Sequence, residues 1–276
     1  MKQTVTYHEI TQKLRDFFLS KGYVEVPSQS RKSILAACEN PHSVATFEYD
    51  GLIWPLPQTG QMWLEYELLK NPDWKGCFCV STSYRNEKDP IPGRHEKIFP
   101  MFEFESKGNF DDLRKLNVEI VEYLGFDTPK QLDYNTTSER YAAPILEDEH
   151  EARMWHEVGH SISLETFPIR TSPFWNMKYI GDGKFNKCDI ILFGQETFGT
   201  AERSCNPEEM RNFFYTIMNG TYCEKLFELF GKERVEAELE EFLSYNFFPR
   251  FGGGIGLTRL GRAWEMLKEE KQPELV

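Results

Sequence analysis

Two stretches, CFCVSTSYRNE and KIFPMFEFE, alternate apolar and polar residues, and the KDPIPGR segment between them carries two prolines and a glycine. Alternation of period two with turn residues between predicts an antiparallel hairpin with a long loop. Helical spacing comes earlier. Ile10, Leu14, Phe17, Phe18 and Leu19 recur at helical intervals between His8 and Lys21, and Gly22 stands where a C-terminal cap belongs. A short strand, Tyr23 to Val26, then meets Pro27. Phe110 to Leu124 reads as a second amphipathic helix begun after Gly108 and Asn109. Leu132 to Arg153 is polar and acidic and predicts no element, whereas SISLETFPIR alternates like a strand. From Pro207 to Leu243 the pattern predicts two helices broken near Gly231, with Phe213, Phe214, Leu226, Phe227 and Leu229 inward. FGGGIGLTRL is strand-like, and a last helix follows it toward Leu267.

At 276 residues, 40% hydrophobic and 14% aromatic, the chain can bury a sizeable core, and no linker or repeat divides it. One domain over residues 1–276 is expected. No apolar run approaches the roughly 18 residues of a membrane span, and MKQTVTYHEI lacks the basic-then-apolar order of a secretory signal. The six cysteines form no C-x-x-C pair, so reduced thiols and a cytoplasmic location are expected. The net charge of −12 argues against broad non-specific nucleic-acid affinity, though not against a local tRNA contact.

The hairpin carries unusual chemistry. Arg85 and Glu87, two apart, share one face, while Arg94 and His95 lie in the loop. A guanidinium is a planar fork for phosphate oxygens, His95 adds a donor, and Phe99 or Phe102 offers a ring to a purine. A solvated surface hairpin laced with salt bridges fits the same pattern. Glycines at 252, 253, 254 and 256 point to backbone that a ligand approaches closely, with Arg259 as a second phosphate-facing arginine at a helix start. A third constellation is His156, Glu157 and His160, spelling the H-E-x-x-H of zinc peptidases. Gly159 interrupts that turn, and Glu165, the nearest third ligand, sits in a strand-like run; a helix end with ordinary histidines is the other reading.

The arginine-x-glutamate hairpin with its loop histidine and phenylalanine, followed by G-x-G-x-G-x-x-R at 252–259, resembles motifs two and three of the class II aminoacyl-tRNA synthetases. The resemblance implies an α/β (α+β) fold with a mixed, mainly antiparallel sheet flanked by helices. The first helix with its strand and Pro27 resembles motif one, which implies a homodimer. In the aspartyl and asparaginyl (class IIb) branch, Glu39 matches the loop acid, and Thr59, Gly60 and Gln61 match a turn that binds the substrate ammonium. This chain departs from the branch at Asn40, where glycine is usual, and at Leu64, where aspartate-activating relatives carry a lysine. Leu64 followed by Glu65 implies a neutral or amide substrate side chain, although an exposed helix acid also fits Glu65. Asp189, Glu196 and Arg203, each seven apart, match the magnesium-holding acids and the side-chain arginine. Similarity further assigns Arg85 to the α-phosphate, Arg259 and His95 to the outer phosphates, Phe99 to adenine, and Glu87, Gly254 and Gly256 to the ATP site. Ile98 and Thr258 replace acids that relatives carry.

ATP and Mg²⁺ are thus implied, with a ligase that activates an asparagine- or aspartate-like amino acid as its adenylate. Transfer to tRNA, ammonia, a carrier protein or a small amine stays open. Ammonia-dependent asparagine synthetases share such a core and the GGGIG run, and a non-catalytic nucleotide-binding paralogue is a further alternative. The anticodon-binding barrel of the branch is not found in this sequence.

Overall fold

A computed structural model describes residues 2–28, 32–35, 40–90 and 96–271. Helix α1 (Lys2–Ser20) ends where Gly22, at φ 81°, takes the left-handed conformation that an L side chain resists, and strand β1 (Val24–Glu25) follows. A separate ribbon pairs β2 (Ala45–Tyr49) with β3 (Leu52–Leu56), leading into helix α2 (Gln61–Lys70). The predicted hairpin is present as β4 (Gly76–Tyr84) and β5 (Ile98–Lys107), antiparallel from Gly76↔Ser106 to Tyr84↔Ile98.

Helix α3 (Phe110–Tyr123) begins at a capping box in which Asn109 accepts from Asp112 N while Asp112 accepts from Asn109 N, so two otherwise orphaned donors are satisfied. The unassigned region folds as β6 (Lys130–Asp133), α4 (Tyr134–Tyr141) and α5 (Asp148–Val158), followed by β7 (Ser161–Pro168). Short β8 (Tyr179–Gly181) pairs with β9 (Lys184–Leu192), which turns through Phe193 and Gly194 into β10 (Gln195–Glu202). The two helices expected from Pro207 to Leu243 are three: α6 (Pro207–Thr216), α7 (Thr221–Phe230) and α8 (Lys232–Leu243). The additional break falls where Met218 and Asn219 have φ of 54° and 57°, a conformation that no hydrophobic pattern signals. Strand β11 (Arg250–Gly256) runs directly into α9 (Leu257–Lys271).

Among the described residues nine strands form one sheet, ordered β1-β4-β5-β11-β10-β9-β7-β6 with β8 beside β9. Only the outer pairs β1–β4 and β6–β7 are parallel, so the sheet is mixed and mainly antiparallel, as expected. Alternation sorts its two faces. Phe78, Phe102, Phe104, Cys188, Ile190 and Phe198 pack with residues of α1, α3 and α9 in one large core. On the other face Cys77 and Cys79 pack against Leu64 and Leu68 of α2, and a second core gathers α6, α7 and α8 around Trp175. The β9–β10 register shifts between Glu196 and Phe198, an extra residue of the β-bulge kind. Phe198 thereby enters the large core, while Gly199 comes opposite Asp189. No described helix is long and apolar enough to cross a membrane.

Candidate active site

A cavity of about 890 Å³ lies over the second face, and residues of the sequence assignment line it from four parts of the chain. Thr59, Gln61 and Glu65 come from the start of α2, Arg85, Glu87 and Phe99 from the hairpin, and Asp189, Glu196 and Arg203 from the β9–β10 region. Gly254, Gly256 and Arg259 complete it from β11 and α9. Glu39, Arg94 and His95 lie outside the described residues.

Strand β5 sends Phe102 and Phe104 to the core beneath Phe18, so Phe102 is withdrawn as a purine ring. The same alternation puts Met101, Glu103 and Glu105 on the cavity side, and the two carboxylates have no exposed surface. The hairpin's polar face is therefore not a solvated one. Glu103 accepts from Gly60 N at 2.9 and 2.8 Å and from the hydroxyls of Thr59 and Ser81, which anchors the N-terminus of α2. Burial raises its pKa, against the pull of those donors and of Arg85. Thr59 commits its proton to Glu103 and accepts from Gln61 N at 3.1 Å.

One turn further, Glu65 is buried rather than exposed. Its Oε2 accepts from Arg250 Nε and Nη2 at 3.0 and 2.8 Å, and its Oε1 from Asn176 Nδ2 at 2.6 Å. Arg203 donates from Nε to Glu105 at 3.0 Å and from Nη2 to Gln61 Oε1 at 2.9 Å, and lies 3.6 Å from Glu65. Glu65, Glu105, Arg203 and Arg250 thus form a buried network of two carboxyl groups and two guanidiniums. Burial pushes the Glu105 carboxyl up, while Arg203 beside it pulls it down. Leu64 corrects the sequence reading. It is fully buried against Cys77 and Cys79 and lines no part of the cavity, so the side-chain inference drawn from position 64 does not hold there.

Toward the other end, the Arg85 guanidinium stands 5.2 Å over the Phe99 ring, a cation–π arrangement that holds both. Arg259 donates to the Glu196 carbonyl at 2.8 Å, and Thr258 to Glu96 at 3.1 Å. The glycines divide by task. A Cβ at Gly252 would overlap Glu105 and the Phe104 carbonyl, and one at Gly254 would lie 2.7 Å from Met101 Cε and 3.0 Å from Gln61 Nε2. At Gly256 the nearest atom would be 3.9 Å away, so this one faces open cavity.

Gly199 lies between the two acids of the hairpin: a Cβ there would meet Glu196 Oε1 at 3.1 Å and Asp189 Oδ1 at 3.8 Å. Asp189 Oδ2 pairs with Lys187, whereas Oδ1 is buried without a hydrogen-bond partner. Burial raises the Asp189 pKa, opposed by Lys187 and reinforced by Glu196. Among the described residues no three or more His, Cys, Asp or Glu side chains gather as a metal cage. Two carboxylates with an orphan oxygen nevertheless suit Mg²⁺ carried on a nucleotide, which needs only one or two protein carboxylates.

The zinc-peptidase constellation is not assembled. Helix α5 stops at Val158 with Gly159 as its cap, so His156 and His160 do not share a helical turn. Glu157 is held by Arg140 and Arg153 at 2.6 Å each, and the His160 ring stacks on Phe193. Sequence reading missed Gln58, Glu103, Glu105, Asn176 and Arg250. Gln58, next to Thr59 in the turn, donates from Nε2 to the Asn40 carbonyl at 2.8 Å and leaves a buried Oε1 without a partner at the cavity.

A mixed antiparallel sheet with arginine-bearing hairpin, acid pair and glycine strand around one cavity defines a class II synthetase core. The chain belongs to the family described as tRNA synthetases class II (D, K and N), which matches residues 2–267. Among solved structures it is similar to asparaginyl-tRNA synthetase from Pyrococcus horikoshii complexed with asparaginyl-adenylate, with TM-score 0.80 and 17% identity over 96% of this chain and 65% of that one. The Entamoeba histolytica asparaginyl enzyme in complex with asparaginyl-adenylate gives 0.75 and 17% over 95% and 64%. The aspartyl enzyme of Entamoeba histolytica gives 0.69 and 18% over 95% and 55%. At these identities the likeness is one of fold, and the chain spans under two thirds of those chains. A search of curated proteins by sequence finds no match.

Proposed function

We propose that this chain activates an asparagine-like amino acid with ATP, releasing pyrophosphate and forming the acyl-adenylate. The observation that carries the reading is the convergence of Arg85, Arg259, the Asp189–Glu196 pair and the Glu65–Arg203 network on one cavity. Arg85 neutralises charge building on the α-phosphate as the substrate carboxylate attacks. Arg259 and His95 hold the outer phosphates, and Phe99 with Arg85 stacked on it offers adenine a platform. Asp189 and Glu196 would hold Mg²⁺, which supplies neutralisation of phosphate charge. Glu39, Gln61 and the remaining lone pair of Thr59 receive the ammonium. Positioning and fixed dipoles suffice for such a step, without a covalent protein intermediate.

Each guanidinium at the inner end is already paired with a carboxyl group, which favours a neutral amide side chain over a carboxylate there. We also propose a homodimer through α1, where Val5 and Leu19 are about half exposed despite their apolar character. The test is pyrophosphate exchange from Mg·ATP across the standard amino acids, with asparagine expected to give the highest rate. Product release that rises with ammonium identifies amide synthesis, and one that rises with bulk tRNA identifies aminoacylation. No exchange with any amino acid, from protein that binds Mg·ATP, overturns the reading in favour of a non-catalytic nucleotide-binding protein.

A further inference from the structure

We infer that Asn176 determines specificity, by offering a buried acceptor to an N–H donor on the substrate side chain. The inference rests on the activation reading above and names what its amino acid must carry. Asn176 has no exposed surface and lies in the connection between β7 and β8. Its backbone is fixed beside the arginine of the network: Ser204 N donates to the Asn176 carbonyl at 2.8 Å, and Met177 pairs with Arg203. Chemistry settles which way its amide points. Nδ2 lies 2.6 Å from Glu65 Oε1, and a carboxylate already held by Arg250 can only accept, so the nitrogen must face it. The oxygen is thereby turned away from Glu65. It is buried and has no hydrogen-bond partner, in a residue that lines the cavity.

A buried acceptor left unmade is destabilising, and the groups that remain so in folded proteins call for a ligand or a water. The neighbourhood selects the ligand. Asn176 Nδ2 and Arg203 Nε both address Glu65 Oε1, at 2.6 and 3.6 Å, so the Asn176 amide and the Arg203 guanidinium meet at one carboxylate oxygen. A primary amide complements that pair, presenting its carbonyl to the guanidinium and an N–H to Asn176 Oδ1. A carboxylate or an ester brings no donor and sets acceptor against acceptor. Sites built to bond a substrate N–H reject analogues lacking it far more strongly than apolar pockets reject a missing methylene.

The test compares asparagine with the β-methyl ester of aspartate, which keeps the carbonyl and replaces the donor, in pyrophosphate exchange. In the wild-type protein kcat/KM is expected to favour asparagine by on the order of 10²-fold. In Asn176→Ala that ratio should fall at least about tenfold, mostly through loss on asparagine, while Mg·ATP binding is retained. A merely structural role would lower both substrates together and leave the ratio unchanged, which overturns the inference alone. A wild-type ratio near one also overturns it, with no variant needed should Asn176→Ala fail to fold. Absence of exchange with every amino acid overturns the activation reading and this inference with it.

Discussion

A guanidinium with no exposed surface persists only where its donors find acceptors, and Arg250 finds them in Glu65 and in the Ser204 carbonyl at 3.0 Å. Arg250→Met would take from Glu65 the guanidinium that bonds its Oε2 twice, so denaturant unfolding should show a loss of about 3–5 kcal/mol. Adding Glu65→Gln to that variant should recover part of it. Glu103 makes a different prediction. Its folded pKa is raised above the ordinary 4.5 by burial, so the native state binds the proton more tightly than the unfolded chain. Stability from this source is full below that value and is lost as pH rises through the raised one. Glu103→Gln, which keeps an oxygen for Gly60 N–H, should flatten the fall in unfolding midpoint as pH rises above the ordinary carboxylate range. An unchanged slope would show that Glu103 is ionised throughout. These residues were illegible in the sequence for one reason. A strand that alternates Phe and Glu announces two faces, but not that α2 covers the polar one. Arg85, Asp189, Glu196 and Arg259 were legible because the short motifs around them resemble those of the family.

Strand β11 shows how a glycine run mixes purposes within one element. Gly252 makes room for Glu105, so Gly252→Ala should destabilise by at least about 1–3 kcal/mol through overpacking against backbone and carboxylate. Gly256→Ala meets nothing closer than 3.9 Å and should leave unfolding within about 0.5 kcal/mol of the wild type. Its methyl enters the cavity, so Mg·ATP affinity by calorimetry should drop about tenfold. Equal destabilisation by both would remove the distinction. The sequence marked all four glycines alike as ligand-facing, because a missing side chain does not say which neighbour needs the space. Elements were legible where period and length agreed, as in α3 and the β4–β5 hairpin. Helices α4 and α5 were not, being 8 and 11 residues long with few apolar positions, and defined instead by caps at Asp133 and Glu147. The α6–α7 break rests on two left-handed residues that carry no glycine.

At the scale of the molecule, one face of the sheet is closed by α1, α3 and α9, and the other is left partly open as the cavity. A ligand held there bridges β5, β10 and β11 and binds the folded state alone. Mg·ATP at about 100 times its Kd should therefore stabilise by about 2.7 kcal/mol, raising the thermal midpoint by roughly 5 °C or more. Glu196→Gln should remove most of the magnesium-dependent part of that shift. A midpoint indifferent to Mg·ATP would show that the cavity does not take the nucleotide. The mixed sheet and the sorting of motifs around one site followed from the sequence, since ordered motifs constrain topology. The buried network beneath α2 did not, because it joins residues 65, 105, 203 and 250, which meet only once the sheet is formed.

The bulge at Thr197 makes the site sensitive to chain length as well as to residue identity. Removing that one residue would restore regular pairing, with Phe198 still opposite Ile190 and Gly199 still opposite Asp189, and would take away the local bend that a bulge puts between Glu196 and those pairs. A single deletion would thus re-aim Glu196 relative to Asp189, although every side chain named in the mechanism would still be encoded. Insertions and deletions should consequently be excluded from this hairpin even where substitutions are absorbed, and length variation in the chain should collect in the connections that lie off the β9–β10 ladder.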